Sequence, residues 1–566
     1  MKFEGIAASP GIGIGPVVPL EREEFAVREI PVPRERVELE VERFLSALEA
    51  SRHDIRAIRD GIAAELGEHD ARIYDAHLLI LDDPVLQDTV CGGIRREGRN
   101  AEFLFRGFME GVAAHLENVK DTYLRERTAD VVDVERRVLR HLLGNGPRVL
   151  PRLDRPSILI AHDIGPSEVA LLDRERVAAL VTEVGGRTSH GAIVARGRGG
   201  AVDGFSGHVE IDPEPPAAAF YHTRSLQLEQ EGRSLRMLQS EPAVTLDGRR
   251  VELGANIELP GDVDHVLAAG ADSIGLFRTE FFYLNRAELP SEEEQVRAYR
   301  EVAERMSPRP VIFRTMDLGG DKVASYLGTT HEANPFLGWR GIRFALFHPE
   351  VFRTQIRAIY RASAHGRVRM MFPMVSSQDE LARALQLCAD VADELRSRGV
   401  PHDPGLEIGL MIETPSAVWI SDVLAREARF FSIGSNDLIQ YTLAMDRDNE
   451  RLSHLYEPLE PSVLRSIHHT VEAGHRAGRW VGICGEMAGD PRTAILLLGL
   501  GVDELSMSCY DLPRVKAALR SVRHEEAAEV AARALELSAA GAVKELLRQR
   551  LEVLLPSFLV AKRSPL

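Results

Sequence analysis

The sequence predicts a multidomain α/β protein with a barrel in its C-terminal part. From about Thr245 onward, short apolar runs alternate with helical patterns eight times. Eight such units in about 300 residues are typical of a TIM (β/α)8 barrel. The segment from Arg34 to about Gly144 shows only helical patterns, and strand-like runs occur before and after it. This order indicates a helical bundle inserted into a separate α/β domain.

Polar residues follow five of the predicted barrel strands at the point where each strand ends. The predicted strands are Val251–Ala255, Ser273–Phe277, Val311–Phe313, Met370–Met374, Glu407–Ile412, Phe430–Ile433, Trp480–Cys484 and Glu504–Met507. The polar residues at their exits include Arg278, Glu280, Arg314, Asp317, Glu413, Asn436, Asp437, Cys484 and Glu486. Parallel barrel strands end at one mouth, where barrel enzymes bind substrates. We therefore expect a single site there.

The residue types at this mouth suit an anionic substrate. Arg278, Arg314 and Arg447, which lies beyond the sixth strand, can bind phosphate and carboxylate oxygens through paired N–H groups. Glu413 and Asp437 are hard oxygen ligands suited to one Mg²⁺ ion. No His or Cys spacing indicates zinc.

Each mouth residue also has a purely structural interpretation. Arg278 and Glu280 could form an ion pair on the barrel rim, Asn436 and Asp437 could form a turn, and Cys484 could be a small buried apolar residue. Five such coincidences at one end of one barrel favour a functional site.

The N-terminal part is predicted from strand and helix patterns. An apolar stripe recurs at steps of three, four and seven residues in Val37, Val41, Phe44, Leu48, Ile55, Ile58 and Ile62, which indicates one long amphipathic helix. The predicted domains are a discontinuous α/β domain (1–20 and 146–222), a helical insertion (21–145), a linker helix (223–244) and the barrel (245–566).

A second candidate site lies in the stretch Gly185–Arg196. Two glycines followed by Thr188 and Ser189 provide turn and cap chemistry, which places His190 at the positive end of a predicted helix. Amide donors and Arg187 would stabilise an anion on the ring, so the imidazole could receive a phosphoryl group. The alternative is an ordinary surface histidine beside a helix cap.

Composition limits the possible functions. The 566 residues carry a formal charge of -17, which argues against general nucleic-acid binding. No apolar run has the length of a membrane span, so we expect no membrane insertion. Without a recognisable signal peptide, and with four cysteines that lack disulfide or metal-ligand spacing, the sequence favours a cytoplasmic location.

Several segments resemble Enzyme I, the phosphoenolpyruvate-dependent family that begins the bacterial sugar phosphotransferase system. These segments are Gly185–Arg196, Gly275–Glu280, Arg314–Lys322, Asn334–Arg340 and Phe431–Arg447. The resemblance covers nearly the whole chain, with a gap after Arg196. It implies a homodimer formed through the barrel and a movable histidine domain that swings about linkers near Gly144 and Gly232.

The resemblance also implies residue roles. Phosphoenolpyruvate would be bound by Arg278, Arg314, Asn436, Asp437 and Arg447, with Arg340 as a supporting contact. Glu413 and Asp437 would hold Mg²⁺, Cys484 would protonate the enolate carbon, and His190 would accept the phosphoryl group.

The carrier protein HPr would then take the phosphoryl group from the histidine. By the same resemblance, the helical insertion would dock HPr, and the stretch Glu68 to Asp83 would offer an acidic, partly apolar face. The residues expected on that face are Asp70, Asp75, His77 and Asp82.

The segment after Arg196 departs from the family. Only residues 197–208 precede the predicted closing strand Val209–Ile211, where relatives fit a further strand and helix, and Gly191 and Val169 are also atypical. A missing central strand would damage the small sheet or require a smaller one. The alternative function is therefore a phosphoenolpyruvate-binding regulatory protein with an impaired phosphorelay.

Two related classes share a movable histidine domain. Pyruvate phosphate dikinase and phosphoenolpyruvate synthase would each need an ATP-binding domain. The first 145 residues have neither the length of such a domain nor a glycine-rich phosphate loop.

Overall fold

The computed structural model describes most of the chain as two compact units, Met1–Glu229 and Gln230–Leu566. The described residues are 1–5, 9, 11–20, 25, 27–65, 68–117, 128–144, 153–162, 164, 172–173, 176–182, 199–283, 288–319, 334–447, 449, 452 and 455–556. His190, Gly191 and Val169 lie outside them.

The first unit contains the predicted helical bundle. Its helices are α1 (Val37–Glu65), α2 (Glu68–Asp82), α3 (Pro84–Glu97), α4 (Ala101–Glu117) and α5 (Thr128–Leu143). The predicted stripe of α1 is confirmed where its side chains are described, because Val41, Phe44, Leu48 and Ile55 are buried in the bundle core. These apolar side chains fill the space between the helices, and their burial stabilises α1.

The face expected on α2 is only partly present. His77 is fully buried, with its Nε2 3.1 Å from Asp130 Oδ1 on α5, so it is not available to a partner. Asp75 and Asp82 remain about half exposed. The side chain of Asp70 lies outside the described part of the chain. The prediction for His77 was wrong because an imidazole on an amphipathic helix can also sit on the core side when a carboxylate pairs with it.

A six-stranded sheet accompanies the bundle. Its strands are β1 (Lys2–Glu4), β2 (Ile12–Leu20), β3 (Ser157–Ala161), β4 (Val177–Thr182), β5 (Gly199–Asp203) and β6 (His208–Ile211). Their order in the sheet is β1-β6-β5-β2-β3-β4. Strand β5 lies in the segment after Arg196, where the sequence predicts a missing central strand, and it pairs antiparallel with both β2 and β6. The sheet therefore has an interior strand at this place.

The second unit is a closed barrel, as predicted. Helix α6 (Pro215–Met237) leads into it across the division between the units. The barrel strands are β7 (Glu252–Ile257), β8 (Ser273–Arg278), β9 (Val311–Arg314), β10 (Val368–Phe372), β11 (Glu407–Ile412), β12 (Phe430–Gly434), β13 (Trp480–Cys484) and β14 (Glu504–Met507). All neighbouring strands pair in parallel, and β14 closes on β7.

Helices cover the outside of the barrel. They are α7 (Val263–Ala269), α8 (Glu292–Met306), α9 (Ile342–Phe347), α10 (Pro349–Ala362), α11 (Gln378–Ser397), α12 (Pro415–Trp419), α13 (Ser421–Leu424), α14 (Ser435–Leu443), α15 (Pro461–Arg476), α16 (Glu486–Gly489), α17 (Pro491–Gly499), α18 (Leu512–Leu519), α19 (His524–Glu536) and α20 (Ala540–Leu554). Their apolar faces and the strands share one large core. Within the described residues, no helix combines the length and apolarity that crossing a membrane requires.

Two predicted strands differ from the structure by two residues at a boundary: β7 ends at Ile257, two residues later than expected, and β10 is displaced as a whole. β10 begins and ends two residues earlier than expected, at Val368 and Phe372. Met374 has φ of 58°, in the left-handed region, so it cannot continue the strand. An unbranched apolar residue gives no warning of such a conformation.

Candidate active site

A cavity of about 530 Å³ opens at the C-terminal ends of the barrel strands. Around it the structure brings together all the predicted site residues that it describes, and His190 lies outside the described residues. The cavity-lining members of that set are Arg278, Arg314, Arg340, Glu413, Asn436, Asp437, Arg447 and Cys484. They meet because each follows or ends a strand, or lies in the loop or first helical turn beyond it.

The Arg340 side chain forms a buried two-point ion pair. Its Nη2 lies 2.7 Å from Asp317 Oδ2 and its Nε 3.2 Å from Asp317 Oδ1. An antiparallel bridge between Gly319 and Arg340 holds this segment against the exit of β9. Burial alone would lower the pKa of Arg340. The negative charges of Asp317 and Asp437 have a larger effect in the opposite direction, so the pKa is raised. The guanidinium is therefore permanently charged.

Arg314, the last residue of β9, shares the same carboxylate. Its Nη1 lies 3.5 Å from Asp317 Oδ2, and its Nη2 donates a hydrogen bond to Glu280. The sequence also allowed an ion pair between Glu280 and Arg278 on the barrel rim. Arg278 forms an ion pair with Glu258, 3.0 Å away, and its side chain remains more than a third exposed.

Glu413 lies just beyond β11 and is fully buried. Its Oε1 accepts a 2.6 Å hydrogen bond from the backbone N–H of Met374, which its left-handed conformation aims at the carboxylate. Burial and the nearby charges of Asp437 and Asp317 raise the pKa of Glu413 to about 8. Within the described part of the chain, no group forms a hydrogen bond with its Oε2. A buried oxygen of this kind is costly unless something pairs with it.

The Glu413 and Asp437 carboxylates fit a divalent cation by their chemistry. The cavity lining includes four arginines and five carboxyl groups, so the side chains alone provide no excess of positive charge for an anion. Gly434 lets the Glu413 carboxylate approach the backbone closely, because a Cβ there would lie only 2.7 Å from Oε2. Among the described residues, no group of three or more His, Cys, Asp or Glu is arranged to hold a metal. Any ion would therefore take further ligands from substrate or water.

Cys484, the last residue of β13, lines the same cavity and is buried. Burial raises the pKa of its thiol to about 11, although a hydrogen bond from Ser432 and the charge of Arg314 oppose the rise. The Ser432 hydroxyl donates to the sulfur at 3.3 Å. The thiol therefore keeps its proton at neutral pH and can act as an acid.

Asn436 is held from two sides. Its Oδ1 accepts from the backbone N–H of Glu486 at 3.2 Å, and its Nδ2 donates to Glu486 Oε1 at 3.4 Å. The Tyr456 hydroxyl donates to the Asn436 carbonyl at 3.1 Å. Asn436 and Asp437 thus stand in the fixed first turn of α14.

Sequence reasoning missed the parts that Asp317 and Tyr456 play here. Asp317 was noticed at the exit of β9, but nothing indicated that it pairs with two arginines. Tyr456 lies in an irregular segment with no motif, and no signal in one sequence could have identified it.

A closed parallel barrel with arginines, acidic residues and a buried thiol gathered in one cavity at its mouth is the architecture of a multidomain barrel enzyme. Three family models match the chain: "PEP-utilising enzyme, N-terminal" at residues 4–127, "PEP-utilising enzyme, mobile domain" at 153–209 and "PEP-utilising enzyme, PEP-binding domain" at 233–524.

Whole-length relatives narrow this class. The chain is 42% identical over 557 residues to phosphoenolpyruvate-protein phosphotransferases of Bacillus sp. (strain S) and Geobacillus stearothermophilus, covering 95% of this chain and 96% of each relative. It is 39% identical over 566 residues to that of Haemophilus influenzae, covering 97% and 98%. The chain belongs to the phosphoenolpyruvate-protein phosphotransferase family, which confirms the resemblance found in its motifs.

Proposed function

We propose that this chain transfers the phosphoryl group of phosphoenolpyruvate to His190 and then to a histidine of the carrier HPr, releasing pyruvate. The observation that carries the proposal is the convergence of Arg278, Arg314, Arg447 and two acidic residues on one cavity with a buried thiol. Family membership supports the same reaction, because the relatives bear its name.

In this proposal, the arginines bind and orient the substrate. Arg278 and Arg447 carry the more accessible guanidinium groups of the cavity. Arg314 and Arg340 are buried, and both are held by Asp317. Fixed donors stabilise charge without reorganising during the reaction. Asn436 would contact the phosphate through the amide that Glu486 and Tyr456 hold in place.

Glu413 and Asp437 would hold Mg²⁺. The bound ion would neutralise substrate oxygens and shift the charge balance of the cavity toward positive. The unpartnered Glu413 Oε2 supports this role, since a cation would satisfy it.

Two steps complete the first half-reaction. The neutral imidazole nitrogen of His190 attacks phosphorus, and the bond between phosphorus and the enolate oxygen breaks. The Cys484 thiol then gives its proton to the enolate carbon, which becomes the methyl group of pyruvate, and the sulfur keeps the electron pair. The resulting thiolate takes a proton from water before the next cycle.

The remaining assignments are also proposals. HPr would bind the helical bundle of α1–α5, the chain would form a homodimer through the barrel, and it would act in the cytoplasm at the start of sugar uptake. Light scattering of the purified chain tests the dimer.

The decisive experiment uses labelled phosphoenolpyruvate. The unchanged chain and a His222→Ala control, which alters an exposed histidine on α6, should take up label with Mg²⁺ and pass it to HPr. His190→Ala should take up none but still bind phosphoenolpyruvate in calorimetry. Label persisting in His190→Ala would rule out His190 as the acceptor. Binding without labelling of the unchanged chain would favour the regulatory alternative.

A further inference from the structure

Tyr456 is a cavity-lining residue to which the proposed reaction assigns no bond change. It lies in the segment that joins α14 to α15, and its ring is partly buried against the barrel core. Its hydroxyl donates a 3.1 Å hydrogen bond to the backbone carbonyl of Asn436. Arg447, Asp437 and Glu486 all lie close enough to act electrostatically on this hydroxyl. The phenol therefore stands among the groups proposed to bind substrate.

The carbonyl that it contacts belongs to the first turn of α14. This turn presents both the Asn436 amide and the Asp437 carboxylate to the cavity. The other side of Asn436 is held by the two contacts with Glu486 at the exit of β13. Tyr456 thus supplies the constraint from the opposite side. This contact adds a hydrogen bond from the α14–α15 segment to the backbone of the turn.

The neighbouring residue ties Tyr456 to the last helix. Glu457 Oε2 lies 2.7 Å from Lys544 Nζ on α20, and both side chains are largely buried. Glu457 Oε1 accepts from the backbone N–H of Leu459 at 3.1 Å. A partly buried pair with two contacts restricts the backbone more than an exposed pair does. The position of Tyr456 is therefore fixed by a helix far from the chemistry in sequence.

We propose that Tyr456 is a positioning residue for phosphoryl transfer, holding Asn436 and Asp437 through its hydroxyl, and that the Glu457–Lys544 pair anchors it. This inference rests on the proposed function.

The test compares variants in single-turnover transfer from phosphoenolpyruvate to His190 with Mg²⁺. Tyr456→Phe removes the hydroxyl and keeps the ring. It should slow transfer about three- to tenfold, the factor expected for one lost hydrogen bond. The phosphoenolpyruvate concentration that gives half the maximal rate should change less than twofold, because the group acts on the reacting geometry. The urea midpoint should stay within experimental error, which separates positioning from a general structural role.

Lys544→Ala tests the anchor, and two matched variants serve as controls. Lys544→Ala should slow phosphoryl transfer, as Tyr456→Phe does. Lys544→Arg should restore most of the rate. Arg548→Ala removes an exposed pair with Glu545 on the same helix, and Tyr510→Phe changes an exposed tyrosine outside the cavity. Both should transfer at the rate of the unchanged chain.

Failure of the inference can be told from failure of the proposed function. If the unchanged chain labels His190 and Tyr456→Phe matches it in rate, the positioning role is overturned while the reaction stands. If Lys544→Ala matches the unchanged chain, the anchor is overturned. If the unchanged chain does not label His190, the proposed function itself fails.

Discussion

Arg340 and Asp317 form a two-point ion pair that joins the exit of β9 to the segment before α9, with nitrogen–oxygen distances of 2.7 and 3.2 Å. The same carboxylate lies 3.5 Å from Arg314. One acidic side chain therefore fixes two of the four cavity arginines. Its removal should disturb the site more than the loss of a single ion pair would.

Asp317→Asn should lower the free energy of unfolding by about 3 kcal/mol. The amide has nearly the same shape, but it leaves two buried guanidinium groups without their shared charge. Urea unfolding of the intact chain measures the effect. The control is Asp393→Asn, which breaks an exposed pair with Arg396 and should change stability by less than about 0.5 kcal/mol. Equal, small changes in both variants would show that Asp317 does not organise the arginines.

The affinity for Mg²⁺ should depend on pH through Glu413. Because its pKa is raised to about 8, the carboxyl is mostly protonated at pH 6, and an ion must displace that proton. Affinity should rise up to about tenfold per pH unit between pH 6 and 8 and level off above pH 8. Calorimetric titration with Mg²⁺ at several pH values measures this slope. Glu413→Gln should bind weakly with no such slope, and an equal slope in that variant would place the proton elsewhere.

Cys484→Ala should slow pyruvate formation by about a hundredfold, the lower end of the usual contribution of a positioned acid. The thiol, with its pKa raised to about 11, carries the proton that the enolate needs. Rapid-quench measurement of pyruvate provides the rate. Cys509→Ala is the control, because Cys509 is not part of the cavity lining. Unchanged turnover in Cys484→Ala would remove its acid role.

Glu504→Gln should stabilise the barrel at neutral pH but not in acid. Glu504 is buried at the start of β14, where burial and the charge of Glu252 raise its pKa to about 7, while Ser273 donates to its Oε1 at 2.8 Å. Below about pH 4.5 the carboxyl is protonated in both folded and unfolded chains, so its contribution to stability is fully present there. Between about pH 4.5 and 7 the unfolded chain loses this proton more readily than the folded chain does. The stabilising contribution of the protonated carboxyl is therefore lost progressively as pH rises through this range.

Thermal unfolding at a series of pH values checks this sign. The gain of Glu504→Gln over the unchanged chain should grow between pH 4.5 and 7 and stay constant above, on the order of 1–3 kcal/mol. Glu301→Gln, at an exposed position on α8, serves as the control and should show no such trend. A gain that is equal at pH 4.5 and pH 8 would contradict the assignment.

Strands and helices of the barrel were predictable because their signals are local. An apolar run such as Phe430–Ile433, followed by polar residues, indicates a buried parallel strand and its exit without any knowledge of neighbours. The shift of β10 was not predictable, since the left-handed Met374 reflects its contact with Glu413. His77 was misplaced for a similar reason, because its partner Asp130 is 53 residues away.

Fold class, family and the residue types at the barrel mouth follow from the amino-acid sequence alone, because periodicity, strand exits and motifs are all properties of short segments. The side-chain pairings come from the packed structure: Arg340 with Asp317, Arg314 with Glu280, Arg278 with Glu258, and Tyr456 with Asn436. Ion pairs and hydrogen bonds act over a few ångströms, so their partners are set by how distant segments pack rather than by their spacing along the chain.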